Sequence, residues 1–203
     1  MKLFRNNFIV IVCIAAFYMV GCKGNNSTTI APEQSTTKDS FFPVTSYISG
    51  QIALFDSLDV TPLHVRTVKD KIDSFWLKRE TLVPLLSSFL QPEINVDNLT
   101  AFFKEARFKD QTLNSITFTY DPKVKLPDSI LLRHWDVYVN PDDGKVTKIY
   151  IVKAAKDGDL VYQQQYIWNS NKSAKITILK TDEKGNTEVI QEDQFIWNFT
   201  DPE

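Results

Sequence analysis

Short segments with apolar residues at alternate positions dominate the chain after Asn114. A period of two is typical of strands that bury one face. The spacing predicts six strands, near residues 114–121, 133–140, 146–153, 159–168, 173–181 and 187–199. Short turn segments separate them, which forces neighbouring strands to run antiparallel. The second half of the chain therefore predicts an antiparallel meander, with Gly144 and Gly185 in hairpin turns at positive φ.

The first half carries helical spacing instead. Residues 44–57 predict one helix, and residues 78–90 contain a second. Because a proline inside a helix removes a hydrogen bond, the second helix is expected to begin near Val83, with Pro84 in its first turn. Residues 97–108 predict a third helix with an aspartate cap.

One short strand is expected within this first half. Residues 63–69 alternate apolar and polar side chains, and residues 70–73 predict a turn. Together these patterns predict an α+β fold, in which helices come first and a curved antiparallel meander of about six strands follows. The helices are expected on one face of the sheet.

The N-terminus has the parts of a secretory signal. Lys2 and Arg5 precede residues 8–20, an apolar stretch shorter than the ~20 residues that a membrane span needs. The run Met-Val-Gly-Cys that ends at Cys22 resembles the lipobox of bacterial lipoproteins. That resemblance implies removal of residues 1–21 and attachment of lipid to Cys22. The alternatives are an ordinary secretory signal with an incidental cysteine, or an uncleaved anchor.

A tether and a single domain are expected after the signal. Residues 22–40 hold few large apolar side chains, so they cannot offset the entropy cost of ordering and predict a flexible tether. Residues 41–203 are long enough for one α+β domain with its own core.

Charge and cysteine content exclude several functions. Lys2 and Arg5 leave with the signal, so 21 basic residues face 25 acidic residues, and the net charge becomes −4. This balance argues against nucleic acid as a partner, because nucleic-acid binding requires a positive surface. No cysteine follows Cys22. The mature chain can therefore form no disulfide within its domain, and its domain has no thiolate nucleophile or cysteine metal site.

Catalytic and cofactor motifs are not found in the sequence. His64, predicted on the polar side of its strand, and His134 lack metal-ligand spacing, and six glycines are too few for glycine-rich phosphate loops. The aspartate pairs 56/59 and 142/143 predict a helix exit and a hairpin turn rather than paired catalytic acids. We therefore expect no catalytic residues, no metal and no cofactor.

Aromatic residues along the meander are the strongest binding candidates. Tyr150, Tyr162, Tyr166 and Trp168 lie in strands with apolar side chains at neighbouring positions as well. If helices cover one face of the sheet, the other face could present these rings to a ligand or a partner. The alternative is that both faces are buried and the rings belong to the core.

The mature chain is similar to lipoproteins of the Bacteroidota. The similarity rests on the segments Tyr-Ile-Ser-Gly-Gln-Ile from residue 47, Trp-Leu-Lys-Arg-Glu from residue 76 and Phe-Ile-Trp-Asn from residue 195. It brings no activity with it. In that group, acidic residues after the cysteine accompany export to the cell surface. Residues 23–26 have none, so the resemblance implies a protein that faces the periplasm.

These observations predict a lipid-anchored binding or envelope assembly-support protein without catalytic activity. Its expected location is the outer membrane, facing the periplasm. Its expected partners are the membrane, through Cys22, and an unidentified envelope protein or apolar ligand. The alternative is a carrier that holds a lipid or another apolar ligand in a curled sheet, and an anchored hydrolase ranks third. The interior of the sheet decides between them: filled, hollow or exposed.

Overall fold

The computed structural model describes residues 41–55, 61–110, 112, 114–157, 160–182 and 184–198. The chain divides into two units, Met1–Glu33 and Gln34–Glu203, and every described residue belongs to the second. The predicted signal, the lipidation site Cys22, the tether and the aspartates 56 and 59 lie outside the described residues.

The described part of the chain forms one antiparallel sheet of nine strands. Their bounds are β1 Leu63–Val68, β2 Lys71–Trp76, β3 Phe103–Asp110, β4 Ser115–Pro122, β5 Leu132–Val139, β6 Val146–Asp157, β7 Leu160–Asn169, β8 Ser173–Thr181 and β9 Thr187–Ile196. Their order across the sheet is β2-β1-β9-β8-β7-β6-β5-β4-β3. Strands β3 to β9 form a meander, and the β1–β2 hairpin joins it by pairing β1 with β9.

The turns explain why the meander was predictable. Gly144 has φ +70° and Gly185 has φ +86°, as expected for hairpin positions that L side chains rarely adopt. In the 140–145 turn the Gly144 N–H donates to the Asn140 carbonyl oxygen at 2.9 Å. The six predicted strands correspond to β4 through β9, and the short strand at residues 63–69 corresponds to β1.

Within the described residues, three short helices and one 3-10 segment accompany the sheet. They are α1 Val44–Leu54, α2 Arg79–Leu86, the 3-10 segment Ser87–Leu90 and α3 Val96–Leu99. The predicted start of the second helix was wrong, because α2 begins at Arg79 and keeps Pro84 inside. Pro84 forfeits one hydrogen bond, but this helix places both Leu82 and Leu86 in the core with no exposure.

Two edge strands replace predicted turn and helix. Residues 70–73 were predicted as a turn, yet Lys71–Trp76 pairs along its whole length with β1. Residues 97–108 were predicted as a helix, but only Val96–Leu99 is helical, and Phe103–Asp110 pairs with β4 over eight positions. In the described residues the sheet therefore has nine strands rather than the seven predicted, and both additional strands lie at its edges.

The helices pack on one face of the sheet, which we call the inner face. It carries Ile149, Ile151, Tyr166 and Trp168, whereas the opposite outer face carries Tyr150. The Phe89 ring of the 3-10 segment contacts Tyr166 at 5.1 Å and Trp168 at 5.4 Å between centroids. Aromatic contacts of this kind anchor the helical layer to the sheet.

Candidate functional site

The structure places three of the four predicted aromatic residues on the same face of the sheet. Tyr166 pairs with Ile151 and Trp168 pairs with Ile149 across β6 and β7, while Tyr150 pairs with Ile167. Because side chains alternate along a strand, Tyr162, Tyr166 and Trp168 share the inner face and Tyr150 lies on the outer face. The four rings therefore do not form one surface.

Trp168 belongs to the core. Its side chain has no exposure, and its ring contacts Trp197 at 5.3 Å as well as Phe89. Tyr150 and Tyr162 are half-buried. Tyr166 is only 4% exposed, but unlike Trp168 it borders a cavity.

A cavity of about 740 Å³ lies beside Tyr166 on the inner face. Strands β6 and β7 form its floor, and residues 88–102 and 127–131 contribute its walls. The walls are mostly apolar, with Leu99, Phe102, Ile130 and Leu131 as the large side chains. This lining suits an apolar ligand or the apolar part of an amphipathic one.

Lys153 is the buried charge of this cavity. Its Nζ donates to the Ser88 carbonyl oxygen at 2.6 Å and to the Gln91 carbonyl oxygen, and it lies 3.8 Å from the centroid of the Tyr166 ring. Burial lowers the pKa of Lys153 to about 8. These contacts hold the ammonium between two carbonyl oxygens and the face of an aromatic ring. Lys153 therefore ties the cavity wall at residues 88–91 to the sheet.

Tyr166 presents a neutral hydroxyl to the same cavity. Burial raises its pKa, and its hydroxyl donates to Gln164 Oε1 at 3.0 Å. Gln164 also lines the cavity. Tyr166 and Gln164 are thus already hydrogen-bonded to each other, which favours a site that is formed before a ligand binds.

His134 lies on the outer face between two carboxylates. Its Nδ1 is 2.9 Å from Asp121 Oδ1 and its Nε2 is 3.1 Å from Asp136 Oδ2. The hydrogen bond to Asp136 raises the pKa of His134, against the effect of burial. Burial acts to raise the pKa of Asp136, but hydrogen bonds from His134 and Thr119 outweigh it and the pKa is lowered. Both ring nitrogens are occupied, so the arrangement is an ion pair rather than a poised base.

His64 is buried, contrary to the prediction that it lies on the polar side of its strand. It is 1% exposed and stacks on Phe195 at 4.5 Å between centroids. Its Nε2 lies 2.7 Å from Asp193 Oδ1, which also accepts from Arg66 Nε at 2.6 Å. These contacts join β1 to β9 and give His64 a structural role.

Sequence reasoning missed Lys153. A usable signal was present, because Ile149, Ile151 and Lys153 alternate along one strand and must project from the same face. A lysine in that position is expected either at the end of the buried region or with buried partners. The turn prediction for Asp142 and Asp143 was confirmed, since both lie in the turn between β5 and β6.

Comparisons with family models, curated proteins and solved structures found no match to this chain. In the described part of the chain, no helix is long and apolar enough to cross a membrane. The same residues contain no group of three His, Cys, Asp or Glu side chains placed to hold a metal ion.

Proposed function

We propose that this chain is a lipid-anchored envelope protein that binds a small apolar or amphipathic ligand in the inner-face cavity. The observation that carries the proposal is the cavity itself: about 740 Å³, walled by Leu99, Phe102, Ile130 and Leu131. Ligand pockets typically measure roughly 300–1,000 Å³ and are mostly apolar with a few placed polar groups. Of the functions predicted from sequence, this observation favours the carrier.

We propose further that the meander is curved and that the helices lie on its concave side. The cavity is then the part of that side that the helices leave unfilled. Phe89 of the 3-10 segment packs against residues of the inner face, which supports this arrangement. The anchor, the location at the outer membrane facing the periplasm, and attachment to the membrane through Cys22 are proposed from the N-terminal sequence.

Ligand binding is tested with the mature chain carrying Cys22→Ser, so that no lipid competes. The neutral apolar probe N-phenyl-1-naphthylamine should gain fluorescence on binding, and oleate or a lysophospholipid should displace it. Ala155→Trp, which fills the cavity from its lining, should weaken probe binding at least tenfold. Ala106→Trp on exposed β3 is the matched control and should bind normally. Equal binding by both variants, or none by the parent, would refute the proposal.

Lipidation is tested separately by intact-mass spectrometry of protein taken from its native membrane. The expected mass begins at Cys22 and includes acyl chains. A protein with an unmodified Cys22, or one cut elsewhere, would remove the anchor and the location from the proposal while leaving the cavity in place.

A partner-binding role is the second candidate, and one observation favours it. Ile72 is 70% exposed and Trp76 62% exposed on edge strand β2. Exposed apolar groups at an unpaired sheet edge are typical of interaction surfaces. If Trp76→Ser, but not Ala155→Trp, abolishes cross-linking to an envelope protein in intact cells, the partner-binding role is preferred.

A further inference from the structure

A second concave region lies on the outer face of the sheet, opposite the inner cavity. It lies where the turn at residues 140–145 and the turn at residues 169–172 flank strands β5 to β8, and its volume is about 550 Å³. We call it the outer hollow. Most of its lining residues carry hydroxyl, amide or ammonium groups, whereas the large side chains of the inner cavity are apolar.

Two buried hydroxyls at the outer hollow lack partners. Ser115 is 6% exposed and lines the hollow, and Thr117 is 1% exposed and lies opposite Tyr138, which also lines it. Neither Ser115 Oγ nor Thr117 Oγ1 has a hydrogen-bond partner among the described residues. Buried polar groups are nearly always hydrogen-bonded, and leaving one unpaired costs stability. Of these two residues, Ser115 lines the hollow, so its unpaired hydroxyl indicates a surface prepared for an external partner.

Among the described residues that line the hollow, the charged side chains are mainly positive. Lys145, Lys148 and Lys172 contribute to the lining, against the single carboxylate of Asp143. Asp143 Oδ2 is engaged by Lys145 Nζ at 2.9 Å. Lys148 Nζ lies 3.9 Å from the centroid of the Tyr138 ring. A chain that is acidic overall thus has a locally basic hollow, which favours an anionic ligand.

The walls of the hollow are held in place by contacts within the protein. Asn169 Nδ2 donates to Ser173 Oγ at 3.0 Å, so that two lining side chains brace each other. The Tyr47 hydroxyl of α1 lies 2.8 Å from Ser170 Oγ. The Asn140 N–H donates to the Lys145 carbonyl oxygen at 2.9 Å. Binding there would require little ordering of the protein, which favours affinity.

We propose that the outer hollow binds a small hydroxylated anion, of the acidic-sugar class. In this arrangement a sugar hydroxyl pairs with Ser115, and the carboxylate or phosphate group lies among the lysines. The inference does not depend on the inner cavity, because the two sites lie on opposite faces of the sheet and share no lining residue.

The test compares three probes by amide chemical-shift titration of the mature Cys22→Ser chain: D-glucuronate, D-glucose and inorganic phosphate. We expect D-glucuronate to shift the amides of Asn169 and Ser173 and to bind at least tenfold more tightly than either other probe. Equal binding of glucose would overturn the requirement for an anion. Equal binding of phosphate would overturn the requirement for hydroxyls, and binding of no probe would overturn the site.

Two variants separate binding from folding. Ser115→Ala should weaken D-glucuronate binding at least fivefold while leaving the unfolding midpoint unchanged or higher, because an unpaired buried hydroxyl is removed. Ser74→Ala, at an exposed position of β2, should leave both unchanged. Lys148→Met should weaken D-glucuronate more than D-glucose. Undiminished binding by both Ser115→Ala and Lys148→Met would overturn the proposal even if D-glucuronate binds elsewhere.

Discussion

Raising the pH from 7 to 9 should remove a destabilising charge from the cavity floor. Burial lowers the pKa of Lys153 to about 8, whereas an unfolded lysine titrates near ~10.4. Between these values the unfolded chain binds more protons than the folded one, so the free energy of unfolding rises with pH. Below the folded pKa the free-energy cost of burying the charged Lys153 is present in full. This cost is relieved as the pH rises through and above about 8.

The size of the effect follows from the linkage relation. With these two pKa values, the Lys153 contribution to the free energy of unfolding should increase by about 1 kcal/mol between pH 7 and pH 9. The series of unfolding measurements should end near pH 9, because buried tyrosines affect stability at higher pH. Burial raises the pKa of Tyr120 and raises that of Tyr138 to about 12. Such groups lower stability once unfolded tyrosine ionises, near pH ~10.

The assay is urea unfolding of the parent chain and of Lys153→Met at pH 7, 8 and 9. The variant should lose the pH-dependent gain, so the difference in unfolding free energy between the two proteins should change by about 1 kcal/mol across the range. Other titrating groups cancel in this difference. Lys104→Met, at an exposed position of β3, serves as the control and should follow the parent. Parallel curves for the parent and Lys153→Met would refute the reasoning.

Three further predictions concern stability. In urea unfolding, Trp168→Ala should lower the free energy of unfolding by about 3–5 kcal/mol because the ring has no exposure. Trp76→Ala, at a side chain that is 62% exposed, should lower it by under about 1 kcal/mol. Similar losses in both variants would mean that the core is misassigned. Gly144→Ala should lower the free energy of unfolding by about 1 kcal/mol and Gly144→Asn by less, because φ is +70° and an added Cβ meets no atom within 4 Å. An equal loss in both variants would point to a contact rather than to backbone conformation. The hydrogen bond to Asp136 raises the pKa of His134, so its stabilisation is present below pH ~6.5 and is lost as the pH rises through the folded pKa. Midpoints at pH 5.5 and 8 should show this loss in the parent and not in His134→Gln.

Local patterns explain which parts of the fold were predictable. Apolar residues recur at alternate positions in strands β4 to β9, with apolar neighbours as well in β6 and β7, and turns such as the one at Gly144 connect the strands. Each strand pairs with the next one in the chain. Information for such a meander lies within about 20 residues at every point, so periodicity and turn chemistry suffice to identify it.

The edge strands depended on pairing that no local pattern reveals. All six residues of β2 are exposed, so this strand has no alternation of buried and exposed residues by which it could be recognised. In β3, Phe103 and Ala106 continue a spacing that also fits a helix, and only its ladder with β4 makes this segment a strand. Where both structures satisfy the same spacing, tertiary hydrogen bonding decides.

The candidate sites show the same division. The sequence by itself determined the antiparallel meander, its turns and the presence of aromatic residues in β7. Only the tertiary structure decided that Tyr166 borders a cavity, that Lys153 reaches a carbonyl oxygen 65 residues away, and that His64 meets an aspartate 129 residues away. The physical reason is range: alternation and turn geometry are properties of neighbouring residues, whereas a cavity and its buried charge exist only after distant segments have closed over the sheet.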